Sequence, residues 1–257
     1  MKLLKIEFLK TKHSKILLLF LIAALVIWIP PYFNASKTID YIATDKLSVS
    51  PGNYFFIEGM LSVAWILFPS SLIVSILMLS NIESSNKGIV KMRTLPISFT
   101  KMNLNKFAVL TILSAIQVIL ILLVYSLVAT LSTRHLNCDF FADVSLVIKL
   151  GLILFLTSIP MISFFWMTAN TAKSKVSTLG INLMALLPSV IFINTNAWYL
   201  YPFCYPFYFM TNQLADAYRN LTTPDFKLIP FIVAATMFTL ICITISNNAI
   251  KNQKEFK

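Results

Sequence analysis

The sequence predicts an all-α polytopic membrane protein with six transmembrane helices, and three observations carry that reading. Only 12% of the 257 residues are charged, about half the share of an ordinary soluble domain. Mean hydropathy is +0.79, and Phe alone occurs 21 times. The apolar residues also gather into charge-free runs, each long enough to supply the roughly 20 residues that carry a helix across a bilayer. A chain of this length has room for about six such spans with short loops. It is therefore read as a single transmembrane domain, 1–257, with no sizeable soluble part.

The elements follow in chain order. In "MKLLKIEFLKTKHSK", Leu3, Leu4, Ile6, Phe8 and Leu9 interleave with Lys2, Lys5, Glu7, Lys10 and Lys12. On a helix the apolar set collects towards one side, so residues 1–15 are expected to lie along the membrane surface as an amphipathic helix, their Lys stems reaching to headgroups. This basic start is not read as a secretory signal, because the following run exceeds a signal h-region and no small-x-small cleavage site precedes Pro30. Spans are expected at 16–36, 59–82, 107–133, 150–172, 176–195 and 228–250. The run that opens the fifth continues to Ala215, too far for one helix, and its second half, "NAWYLYPFCYPFYFM", is aromatic and broken by Pro202 and Pro206. Trp and Tyr favour the membrane interface. Residues 196–215 are accordingly expected to form an extracellular re-entrant or interfacial element, covered by protein wherever its backbone is not helical.

Between spans two and three lies "ESSNKGIVKMRTLPIS", compact and basic between two uncharged runs. Glu83 with Ser84 or Ser85 can start a short helix over 83–98, Lys87 and Lys91 share a face at i, i+4, and Pro96 stops it before the third span's helix starts near Lys106. The alternative is an ordinary basic loop that anchors topology.

Charge placement sets orientation. Fifteen of the 21 Lys and Arg fall on the side of the two termini, from Lys2 to Lys15, Lys87 to Lys106, Lys173 and Lys175, and Lys251 to Lys257. The opposite side has Lys37, Lys46, Arg134, Lys149, Arg219 and Lys227, diluted by seven of the ten acids. The positive-inside rule then puts both termini in the cytoplasm. The net charge of +11 needs no nucleic-acid partner, since anionic membrane lipid beside these segments accounts for it.

Several chemistries are disfavoured. Ion-coupled transporters and voltage sensors place charge at membrane depth, and none of the six intervals contains any. Gln117, Asn170 and Asn182 are the polar side chains left there, with interhelical hydrogen bonding as their ordinary role. His135, Asp139 and Asp143 stand at i, i+4, i+8, a spacing that would align metal ligands on a helix, but an Asp beside the start of span four is also what a helix N-terminus prefers. No metal or catalytic site is assigned. GxSxG, HExxH and a glycine-rich phosphate loop are absent, so this chain is not read as an enzyme and any ATP hydrolysis belongs to another subunit. Cys138, Cys204 and Cys242 show no metal-type spacing; Cys138 and Cys204 share the outer side and could pair, though nothing requires it.

Two stretches resemble a known family. The opening "LLKIEFLKTKHSKILLL" resembles the amphipathic start of ABC-2-type transporter permeases, with a type V exporter-like transmembrane subunit. "NIESSNKGIVKMRTLPISFTKMNLNKF" is similar to that family's segment after its second span, with Glu83, Gly88, Leu95, Pro96, Ile97, Ser98 and Lys106 in the matching places. Within the family, "WILFPSSLIVSILML" and the aromatic residues around Trp198, Tyr201 and Tyr205 look most like permeases that protect Gram-positive bacteria from lantibiotics and related bacteriocins. Two serines and an Asn after Glu83 depart from the more charged pattern of relatives.

The resemblance implies a multi-pass permease in the bacterial plasma membrane, partnered by a dimer of ABC ATP-binding subunits that hold ATP and Mg, and by a second permease, identical or sister. No cofactor is expected on this chain. It further implies ATPase coupling through Glu83, Lys87, Gly88, Lys91, Arg93, Leu95 and Pro96, and a lever helix containing Lys5, Glu7, Phe8 and Lys10. Gln117, Asn182, Trp198, Tyr201 and Tyr205 are candidates for the substrate path or interface, and the cargo is an amphipathic molecule, foremost an antimicrobial peptide. Export of lipid or a hydrophobic drug by the same fold, a lipid-directed enzyme at the outer face and a scaffold or sensor without transport are the other readings.

Overall fold

The computed structural model describes residues 8–9, 11, 14–44, 47–85, 98–172, 174–218 and 227–252. Among them six helices are long and apolar enough to cross a membrane, at Ile16–Tyr41, Pro51–Ile82, Thr100–Leu136, Val144–Thr171, Lys175–Phe192 and Leu228–Lys251.

The first helix, α1 (Ile16–Ala43), runs past the charge-free 16–36 and takes in Lys37 and Asp40. It starts behind Lys15, whose left-handed φ of 58° turns the chain out of the Phe8 to Thr11 segment. One stripe of α1, comprising Ile16, Phe20, Ala24, Ile27, Trp28 and Ala35, is wholly buried, while Leu17, Leu18, Leu21, Leu25 and Phe33 are exposed. Both faces are apolar, as expected where the surrounding solvent is hydrocarbon.

The second span also begins earlier than its apolar core, at Pro51 rather than Gly59, because Ser50 caps the helix by accepting from the Asn53 N–H and Pro51 fits its first turn. It is built as α2 (Pro51–Ser62), a π-helical turn Val63–Leu67 and α3 (Phe68–Ser85). The extra residue in the π turn, closed by the Phe68 N–H on the Val63 carbonyl, precedes Pro69, which has no N–H to continue an ordinary ladder. Glu58 thereby lies within the helix, where the Lys37 ammonium interacts with its carboxylate.

The long helix α4 (Phe99–Leu136) starts behind Ser98, whose hydroxyl accepts from the Lys101 N–H, seven residues before the expected start at Lys106. It ends on Asn137, a left-handed cap with φ 53°. Then come α5 (Val144–Thr171), α6 (Lys175–Leu186), α7 (Ser189–Phe192), 3-10 turns at Trp198–Leu200 and Pro202–Cys204, α8 (Tyr205–Ala217) and α9 (Leu228–Asn252). Pro202 and Pro206, read as breaks, in fact sit in first turns, where a missing N–H costs nothing.

Hydrogen bonds show which helix ends share a face. At the end where α1 begins and α9 finishes, here the base, Asn103 of α4 bonds Ser246 and Asn247 of α9. At the far end Ser48 N–H donates to the Ala217 carbonyl, Leu47 and Tyr218 form an isolated antiparallel bridge, and Asn53 bonds Asp143. Between them Trp28 packs among Phe55, Phe56 and Tyr125 and donates its Nε1–H to the Ile121 carbonyl at 3.1 Å.

Candidate functional site

The expected coupling residues lie mostly outside the described residues. Glu83 is in the last turn of α3, whereas Lys87, Gly88, Lys91, Arg93, Leu95 and Pro96 are not among those described. Of the lever set, Lys5, Glu7 and Lys10 are likewise outside, and Phe8 is helical and exposed. The flanks are defined: α3 ends at Ser85 and α4 begins at Phe99.

Two candidates are buried amides in which one of the two polar atoms is hydrogen-bonded. Gln117, midway along α4, donates Nε2–H to Ser71 Oγ of α3, and that hydroxyl donates in turn to the Phe68 carbonyl at 2.7 Å. Its Oε1 has no partner among the described residues. Asn182 of α6 accepts from Thr168 Oγ1 of α5 at 2.8 Å, leaving Nδ2 unpartnered among the described residues. A buried amide group without a partner costs about 1–3 kcal/mol. Both residues therefore stitch helix pairs while retaining one unmet polar group each.

Asn170, the third polar candidate, belongs to a larger network that sequence reasoning missed. Asn103 Nδ2 donates to Ser246 Oγ at 3.1 Å and Asn247 Oδ1 at 2.7 Å, while its Oδ1 accepts from Trp166 Nε1 at 2.8 Å. Asn170 Nδ2 adds a bond to Ser246 Oγ at 2.8 Å. This network joins α4, α5 and α9 at the base. The available signal was Asn103 one turn before Lys106, but both residues fell outside the expected span; Asn103 and Lys106 are in fact buried.

At the far end Trp198 and Tyr205 are buried, with Tyr201 partly so, in a cluster that packs on Phe231 of α9. Trp198 stacks on Tyr208 with centroids 3.8 Å apart and planes at 14°. Tyr201 stacks on Phe192 at 4.4 Å and donates its hydroxyl to the Ala185 carbonyl, so the module clamps the ends of α6 and α7. Burial pushes the Cys204 thiol up to about 12 and raises the Tyr201 and Tyr205 phenols above their ordinary value.

All three cysteines are free, Cys138 partly exposed and Cys204 and Cys242 buried. The thiolate is the reactive form, so a raised value keeps Cys204 protonated and inert. Alkylation at pH 8 without detergent denaturation is expected to modify Cys138 and spare Cys204 and Cys242, read by intact mass.

Among the described residues, cavities open at this end. One, about 400 Å³, lies by Trp198, Tyr208 and Lys227. Another, about 350 Å³, is walled by Asn53, Asp143, Lys149, Gln213 and Asp216, where Lys149 Nζ donates to Gln213 Oε1 at 3.1 Å and Gln213 Nε2 to Asp216 Oδ2 at 3.2 Å. His135, Asp139 and Asp143 do not share a helix face, because the Asn137 cap ends α4 between them. Asp139 Oδ1 accepts from the Phe141 N–H, Asp143 Oδ2 accepts from Asn53 Nδ2, and no group of three metal-ligating side chains forms among the described residues.

A family model described as ABC-2 family transporter protein matches residues 3–189. No curated protein and no solved structure matches the chain.

Proposed function

The chain belongs to the ABC-2 family of transporter proteins, and we propose that it is the permease subunit of an ATP-driven exporter whose cargo is amphipathic, foremost an antimicrobial peptide of the lantibiotic or bacteriocin kind. The observation that carries this reading is the family match over residues 3–189, in a chain that has six candidate spans among its described residues and no glycine-rich phosphate loop. Energy for transport then comes from a separate ATP-binding subunit, the usual partner in this family. The coupling segment from Glu83 to Pro96 seats in a groove of that subunit, and closure of the ATPase dimer drives it together with the N-terminal helix. Two permease copies, identical or sister, complete the pathway.

The described spans favour cargo of mixed character over a hydrated ion. Their charged side chains, such as Lys37, Asp40, Arg134 and Lys149, cluster towards helix ends, and the mid-bundle polar groups are neutral amides and hydroxyls. Moving an ion through such an interior would leave its charge without compensation.

The test is a mild-detergent pull-down from the native membrane. Wild type should bring down an ATP-binding chain and a second permease, while replacing residues 83–98 by a Gly/Ser linker of equal length, or Glu83→Lys, should abolish or sharply reduce ATPase recovery. Unchanged recovery and unchanged export with Glu83→Lys would remove the coupling role. Peptide cargo is tested by deleting the chain and measuring lantibiotic sensitivity, which should rise severalfold and return with the wild-type sequence.

A further inference from the structure

We infer that the π-helical turn Val63–Leu67 is a mechanical joint in the second span, and that the stack of Trp65 on Phe207 carries its movement to α8. The turn holds one residue more than a regular helix would, since the Phe68 N–H bonds the Val63 carbonyl rather than that of Ala64. Pro69 follows, with no N–H for the Trp65 carbonyl that it would ordinarily serve. The carbonyls of Ala64 and Trp65 thus both lose their regular donors, near the middle of a 32-residue span. Bending or rotation of the span concentrates where its hydrogen-bond ladder is interrupted.

The two sides of the turn are held differently. Before it, α2 is interlocked: Gly52 and Gly59 leave no room for a β-carbon against the Phe141 backbone and the Trp28 ring, and Phe55 and Phe56 are fully buried. After it, Gln117 and Lys175 bond Ser71 and Asn81 of α3, and both are long side chains that can follow a shift of the helix. Ile73, Ile76 and Leu79 supply apolar contact, which is non-directional. Trp65 stands in the turn itself, 44% exposed, its ring 5.8 Å from that of Phe207 with planes at 20°. Phe207 lies in the first turn of α8, beside Tyr205 and Tyr208 of the aromatic cluster. The other end of α8 is fastened at the far end, by the Ser48 N–H on the Ala217 carbonyl and by the Tyr54 and Tyr218 hydroxyls at 2.8 Å. A rotation at the turn therefore displaces the Trp65 ring and, through the stack, the start of α8. On the proposed function the drive is the coupling segment, which starts at Glu83 in the last turn of α3; the joint itself does not depend on that reading.

The test is deletion of Leu67, an exposed residue of the turn, combined with Pro69→Ala. Phe68 then stands four residues after Val63, so the same N–H and carbonyl close an ordinary α-helical bond and the buried faces of α2 and α3 keep their register. Deleting Val74 from the regular part of α3 instead turns one side of the cut by about 100° against the other. The Leu67 variant should elute and melt as folded protein, and the Val74 variant should not. By hydrogen exchange of the full chain in mild detergent, residues 62–70 should exchange about fivefold more slowly in the Leu67 variant, the effect of about one added backbone bond, and residues 205–212 should slow with them. In a Trp65→Leu background the same deletion should still slow 62–70 but leave 205–212 unchanged. A Leu67 variant that unfolds as the Val74 variant does, or a slowed turn without any change at 205–212, overturns the inference. In cells the Leu67 variant should still bring down the ATP-binding chain yet lose protection against lantibiotic, and full protection overturns the part of the joint in transport. Absence of protection by the wild-type chain sinks the transport reading and leaves the exchange result to decide the joint.

Discussion

Gly59→Ala is expected to destabilise the protein by about 2–3 kcal/mol, a large effect for one methyl group, because a β-carbon built there falls 2.1 Å from the Trp28 ring. The ring has little room to retreat. Phe55, Phe56 and Tyr125 surround it, and its Nε1–H is tied to the Ile121 carbonyl, so α1, α2 and α4 meet at this one side chain. Two turns earlier Gly52 is equally close to backbone, with a β-carbon 2.0 Å from the Phe141 carbonyl oxygen. The two glycines put the bare side of α2 against its neighbours, the close approach that small residues provide between membrane helices. Thermal unfolding in detergent measures the loss. A Trp28→Ala, Gly59→Ala pair should lose less than the sum of the single changes, since truncating the ring makes room for the methyl; strict additivity would mean that the contact is not what limits the site.

This contact shows where sequence reasoning stops in a membrane protein. The number and approximate position of the spans were legible, because crossing hydrocarbon demands apolar length. Helix ends were not: α1 continues through Lys37 and Asp40, and α2 begins before Glu58, since hydrogen-bonded helix persists in water and at the headgroups where charge is tolerated. Nor was the buried face legible. Trp28 and Phe33 are both large aromatics on α1, yet one is fully buried and the other 75% exposed, because lipid accepts the apolar side that water would reject.

Polar residues were the better guide. Gln117 and Asn182 were singled out for standing in apolar runs and are fully buried between helices. Trp198 and Tyr205 were chosen for their aromatic setting and form a packed cluster, although the charge-free run gave no sign that α8 would follow as a separate helix. Asn103 escaped notice because span boundaries were drawn at charges, and Lys101 and Lys106 drew them on either side of it.

Asn103→Leu is expected to loosen α9 from the bundle. Only 6% of the last span's apolar window is buried, so specific anchors matter more there than for the second span, at 56%. At the far end Phe231 packs against Trp198 and Tyr205; at the base Ser246 and Asn247 bond Asn103. Leucine fills similar volume but removes two donors to α9 and strands the Trp166 Nε1–H, which Asn103 Oδ1 now accepts. An interhelical hydrogen bond in a membrane contributes about 0.6 kcal/mol on average, and a stranded buried donor costs about 1–3 kcal/mol, so the expected loss is about 2–4 kcal/mol. Cys242 reports it directly, since it lies one turn from Ser246 on α9 and is 2% exposed. Its alkylation by a membrane-permeant reagent should rise from negligible in wild type to substantial in Asn103→Leu. Adding Trp166→Phe removes the stranded donor and should recover part of the stability without restoring the bonds to α9. Stability would then rise while Cys242 stays reactive, a split that a general packing defect at Asn103 would not produce.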